Sequence, residues 1–159
     1  MRHAKSDWSD YNAQDRDRVL NERGIGDASM ISAELAKRSV FFHLIISSPA
    51  QRAKSTAEII AQNNRSAKLQ VEDCFYFSDF NSVLKVINNI PDSFDSVLIV
   101  GHNPLWSKMV SDFAGSESHV FLDTADIVCL ASESDSWALA SKNLFTFKWL
   151  LSPEFLRKK

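Results

Sequence analysis

Val97-Leu98-Ile99-Val100-Gly101-His102-Asn103-Pro104 is a strand running into a helix. Four consecutive apolar residues, two of them Val, read as a buried strand that stops at Gly101. Asn103 and Pro104 are a cap-plus-proline helix start, with Leu105, Met109 and Phe113 following on one helical face. The same grammar occurs upstream. A hydrophobic run at 41–46 ends in Ser47-Ser48-Pro49, where Ser48 suits an N-cap and Pro49 the first helical position. A helix over about 49–62 is predicted there. Ala28, Ile31 and Leu35 mark a helix beginning near Asn21, and Val83, Ile87 and Ile90 mark another, ended by Pro91-Asp92. Towards the end, 127–130 and 144–150 read as strands joined by a polar connection. Strand–helix alternation with near-continuous apolar strands implies a mostly parallel sheet covered on both faces.

The 159 residues are expected to form a single domain spanning 1–159, long enough to bury a substantial core. Hydrophobic content is 45% and charged content 24%, the balance of an ordinary globular chain. Eighteen basic residues against twenty acidic ones give a net charge of −2, which argues against nucleic-acid or anionic-membrane binding. Arg157-Lys158-Lys159 reads as a solvated tail. Cys74 and Cys129 are far apart and outside any zinc-type spacing, so no disulfide framework and no metal site are signalled. The charged start is not a signal peptide, and no apolar run is long enough to span a bilayer. A monomer in the reducing cytoplasm is expected, without a cofactor.

Chemistry concentrates where strands meet helices. In open α/β sheets, ligands bind outside the carboxyl ends of the strands, where helix N-termini supply amide donors. His102 follows one strand end directly. Arg52 sits in the first turn of a helix, and helical side chains lean towards the N-terminus, so its guanidinium reaches back over a strand end. Arg2-His3 stands at the head of the chain. Two guanidiniums and two imidazoles at one sheet edge describe a phosphate pocket holding a nucleophile, because Arg grips phosphate through a planar fork. His43, inside an apolar run, is read as a core histidine. His119 sits in a loop without a partner, Lys5 reads as solvated, and Arg23 is either a surface or a supporting residue.

The segments Arg2-His3-Ala4-Lys5-Ser6-Asp7-Trp8, Leu20-Asn21-Glu22-Arg23-Gly24, Ser48-Pro49-Ala50-Gln51-Arg52 with Thr56-Ala57-Glu58, and Val100-Gly101-His102-Asn103-Pro104 occur in this order. Together they resemble the histidine phosphatase superfamily, and within it the short SixA-like phosphohistidine phosphatases. The resemblance implies a phosphoglycerate mutase-like, three-layer α/β/α sandwich. It also implies that His3 is the nucleophile, that Arg2 and Arg52 clamp the phosphoryl oxygens, and that His102 donates to them. Asn103 falls in the same motif and is taken as substrate-binding. The expected function is metal-independent hydrolysis through a phosphohistidine intermediate on His3, acting on phosphohistidine of a protein. Two alternatives are a phosphomonoesterase for a small phosphorylated metabolite and a non-catalytic phosphate-binding module.

Two departures from the family pattern carry expectations. Arg-His closes a central strand in the family, whereas here only Met1 precedes it. The first central strand is therefore expected to be cut short, with Met1 an internal residue of a longer natural chain. Larger members also place an acidic residue to protonate the leaving oxygen. Glu72 and Asp73 lie in roughly that region, but nothing marks either as catalytic. An alkoxide, near water's pKa of about 15.7, needs a placed acid. An imidazole, with a pKa of about 6.5, takes its proton from solvent. A pocket without an acid, uncapped in so short a chain, therefore suits phosphohistidine on a protein.

Overall fold

The computed structural model describes residues 1–115 and 120–157, so His119 and the last two lysines lie outside the described residues. Three parallel strands form the middle layer: β1 (Leu44–Ser47), β2 (Lys68–Val71) and β3 (Val97–Val100), in the order β2-β1-β3. Leu44 is opposite Lys68 on one side and Val97 on the other. An antiparallel pair, β4 (Ile127–Ala131) and β5 (Thr146–Leu151), lies beyond.

Residues 1–3 join the two sheets. Met1 N donates to Ile99 O at 2.9 Å, Gly101 N to Met1 O at 3.2 Å and His3 N to Gly101 O at 3.0 Å. On the opposite edge, Arg2 N donates to Asp126 O at 3.0 Å and Ala125 N to His3 O at 3.2 Å. Residues 1–3 thus form a short stub of strand between the two sheets. Below it, between β3 and β4, is a cavity of about 600 Å³, lined by Met1, Ile99, Val128 and Trp106 among others.

Helices cover both faces, as the period-2 alternation of strand side chains requires. Ile45, Leu98, Val100 and Ile127 point into one cluster with Ala28, Ile31 and Leu35 of α1 (Glu22–Lys37) and Ala53, Ala57 and Ile60 of α2 (Gln51–Gln62). Leu44 and Ile46 point the other way, to Val83 and Ile87 of α3 (Phe80–Asn88) and Met109, Val110 and Phe113 of α4 (Leu105–Ala114). A short α5 (Pro153–Arg157) ends the described chain. The result is the expected three-layer α/β arrangement.

Three local expectations need correction or refinement. The helix after β1 begins at Gln51 instead of Pro49, and its cap residue is Ala50, without a side-chain cap bond. Ser48 does accept from Ala50 N at 3.3 Å, but its hydroxyl also pairs with the His102 ring. The helix after β3 begins at Leu105, past a cis Asn103–Pro104 bond, while Asn103 Oδ1 still accepts from Ser107 N at 3.3 Å. His43 is exposed, not a core residue, and accepts from Asp95 N through Nδ1. The strand starts at Leu44, so His43 lies just before it, outside the buried run Leu44–Ser47.

Candidate active site

His3 is held from both directions. Its backbone is fixed in the stub, and Ala4 N donates to Thr56 Oγ1 at 3.0 Å, tying the following residue to α2. His3 is 8% exposed and its Nδ1 lies 2.8 Å from Ala4 O. A carbonyl only accepts, so Nδ1 carries the proton. In the neutral ring this leaves the lone pair on Nε2. The His102 ring stands with its centroid 4.9 Å from that of His3, tilted 55°, and its Nε2 is 2.8 Å from Ser48 Oγ.

Two glycines permit close packing here. A Cβ on Gly101 would lie 2.3 Å from the Trp106 ring, and one on Gly24 would lie 2.0 Å from Lys5 O. The first lets the turn carrying His102 settle against α4. The second lets the N-terminus of α1 abut the segment that follows His3, where Asn21 N also donates to Lys5 O.

The guanidiniums complete the pocket. Arg52 is buried, and both of its terminal nitrogens bond Asp15: Nη1 to the backbone oxygen, and Nη2 to Oδ2 at 2.8 Å. Arg18 reaches Asp15 Oδ1 at 2.9 Å and stacks over the Trp8 ring, 3.2 Å from its centroid. Tyr76 donates its hydroxyl to Asp15 Oδ2 at 2.7 Å. Arg2 Nη1 donates to Leu122 O at 2.8 Å, and Arg2 Nε is buried without a hydrogen-bond partner. Arg2, His3, Asp15, Arg18, Arg52 and His102 all line one cavity of about 540 Å³.

Burial and charge set the protonation states. Desolvation pulls the His3 pKa down to about 4, against the bond to Ala4 O and with help from Arg52 and Arg2. Desolvation, His3 and Arg52 together bring His102 to about 3. Both rings are therefore neutral near pH 7. Burial would raise Asp15, but the hydrogen bonds from Tyr76 and Arg52 and the nearby positive charges outweigh it and hold the carboxyl at about 2. The pocket pairs neutral imidazoles with guanidiniums, the electrostatics of an oxyanion site.

Comparison with known proteins agrees with that reading. The model of the histidine phosphatase superfamily (branch 1) matches residues 1–76, which include Arg2, His3 and Arg52. An uncharacterized protein of Mycobacterium leprae is 32% identical over 120 residues, 73% of this chain and 72% of the relative. The chain belongs to the histidine phosphatase superfamily. SixA of Agrobacterium tumefaciens superposes with a TM-score of 0.83 at 25% identity, over 96% of this chain and 95% of that one. A protein histidine phosphatase SixA complexed with tungstate also gives 0.83, at 23% identity over 98% and 96%, and shares the fold. The phosphoglycerate mutase-like α/β architecture is thereby established.

Of the residues singled out in the sequence of this histidine phosphatase, Arg2, His3, Arg52 and His102 converge. Asn103 lines the same cavity, but its amide is committed elsewhere: Nδ2 donates to Leu122 O at 2.8 Å and Oδ1 accepts from Ser107 Oγ at 2.9 Å. It anchors the loop beneath Arg2. Lys5 is exposed at the rim. Arg23 lies on the surface, 3.5 Å from buried Asp27. Glu72 bonds Gln70 and Asp73 pairs with Arg16, and neither lines the pocket. Sequence reasoning missed Asp15, Arg18 and Tyr76, and took Ser48 only as a cap, not as the partner of His102. The sole usable signal was the density of charge in Asp15-Arg16-Asp17-Arg18, which reads as a solvated loop until folding turns Asp15 and Arg18 inward.

Proposed function

We propose that this chain is a phosphatase that works through a phosphohistidine intermediate on His3 and acts on phosphohistidine carried by a protein. The observation that carries the reading is His3 itself: a neutral ring whose Nδ1–H is anchored on Ala4 O, leaving Nε2 as nucleophile beside two guanidiniums. In the first step the Nε2–P bond forms as the bond from phosphorus to the substrate imidazole breaks, and that imidazole takes a proton from water. Arg2, Arg52 and His102 stabilise the equatorial oxygens, which is most of what phosphoryl transfer needs. Water then attacks phosphorus, releasing inorganic phosphate and restoring the Nε2 lone pair.

Proton supply decides which leaving group the pocket suits. Among the described residues, the one carboxyl that lines the cavity is Asp15, held at about 2 and so ionised at neutral pH. An ionised carboxylate cannot protonate an alkoxide, but an imidazole leaves without such help. At the rim, Trp8 and Phe77 are exposed, which suits an approaching protein surface better than a small sugar phosphate.

The test is single-turnover incubation with a phosphohistidine-bearing protein, a sugar phosphate and a nucleotide. Expected are fast release from the protein and an acid-labile phosphoenzyme absent from His3→Ala. Turnover by His3→Ala above background, or faster cleavage of the alkyl esters, would sink the assignment.

A further inference from the structure

The side chain that holds Arg52 is an anion in an anion site. Asp15 occupies both terminal nitrogens of that guanidinium, takes the Tyr76 hydroxyl, and draws in Arg18. Its position is not that of a carboxylate buttressing an arginine from behind. Asp15 lines the same cavity as His3 and His102, and its side chain is 51% exposed. Its negative charge is felt at the His102 ring, where it opposes the other causes of the lowered pKa. It rides on a three-residue turn, Asp15–Asp17, whose N-cap residue Gln14 gives no side-chain cap bond. A phosphoryl group forked on Arg52 would meet this carboxylate at contact distance, and two anions there repel.

We propose that Asp15 is an internal competitor for the phosphoryl site: its carboxylate and the phosphoryl group contend for Arg52, and binding requires the 10–18 segment to let go. Asp15 thereby sets the affinity of the site for phosphate. The inference rests on the phosphate-pocket reading above. It follows that affinity is reduced by the fraction of molecules in which Arg52 is engaged by Asp15. A half-exposed ion pair of this kind accounts for roughly fivefold, the upper end for such pairs.

Calorimetric titration with inorganic phosphate, on wild type, Asp15→Asn and Arg52→Ala, tests it. The Asn variant keeps an oxygen for Arg52 and Tyr76 but loses the charge, so its Kd is expected to fall about fivefold. An unchanged or weaker Kd would mean that Asp15 positions Arg52 instead, and overturns the proposal. Hydrogen exchange on the wild type gives a readout that does not depend on the variant folding. Amides of residues 10–18 should exchange faster when the protein is saturated with phosphate, and slower or unchanged exchange equally overturns it. Failure of the underlying reading looks different: wild type would bind no phosphate, or Arg52→Ala would bind it as well as wild type.

Discussion

An imidazole attacks phosphorus only with a free lone pair, and the structure supplies one by burying His3 against a carbonyl among guanidiniums. The titration of His3 is therefore expected to have its midpoint near 4, read from its ring signals by NMR, and a midpoint near the ordinary value of about 6.5 would show a wetter site. The sign for stability follows. Both His3 and His102 have folded pKa values below their unfolded ones, so the unfolded chain binds more protons as pH falls below about 6.5. Their contribution is complete above that pH and is lost as pH falls through about 4 and about 3. The urea midpoint should decline across this window, and less steeply in His3→Asn. Arg52 and Lys5 form a second pair to compare. Arg52 is 6% exposed and faces the imidazoles, whereas Lys5 sits exposed at the rim. Losing a donor that stabilises transition-state charge costs about a hundredfold to a thousandfold in kcat. Arg52→Ala should show that loss and Lys5→Ala only a few-fold change, so equal kinetics would mean that the pocket is wrongly drawn.

Elements place these residues, and two glycines of α1 separate a structural need from a mere helix position. At Gly24 an added Cβ would meet Lys5 O at 2.0 Å, while at Gly26 nothing lies within 4 Å. Gly24→Ala must push α1 away from the segment that follows His3, so a loss of roughly 1–3 kcal/mol is expected, with lower turnover. Gly26→Ala should gain up to about 1 kcal/mol from helix propensity. Denaturation curves and turnover for the two variants check this, and equal behaviour would contradict the close approach. Such contacts mark the limit of what was legible in the sequence. The strand–turn–helix grammar at 97–104 located β3, His102 and α4 because apolar runs and prolines act locally. It misplaced the start of α2, because the Ser48 hydroxyl is shared with His102, a residue 54 positions away. Asp15 escaped for the same reason: its partners Arg52 and Tyr76 are 37 and 61 positions off. No local rule sees a bond of that span.

At the scale of the molecule, residues 1–3 bridge the two sheets by backbone hydrogen bonds, and Met1 also lines the cavity of about 600 Å³ between β3 and β4. Met1 N donates to Ile99 O at 2.9 Å, the first bond of the ladder that residues 1–3 make with β3. Placing a designed apolar segment of about five residues, the usual strand length, before Met1 would extend that ladder along β3. Arg2 pairs with Gly101 in parallel register, so the residue immediately before Met1 would pair with Ile99. Side chains of the segment would enter the cavity between β3 and β4. Burying even one large apolar side chain gives about 1.5–3 kcal/mol, and each kcal/mol raises Tm by roughly 2–4 °C in a chain of this size. Turnover should rise with Tm, because His3 stands on the joint and phosphoryl transfer depends on holding the nucleophile in line. Melting curves and turnover for the extended and 159-residue proteins, measured side by side, decide the matter. If both forms melt together and turn over alike, the joint at residues 1–3 already holds the sheets rigidly, and the depth of His3 is set by Thr56 and Gly101 alone.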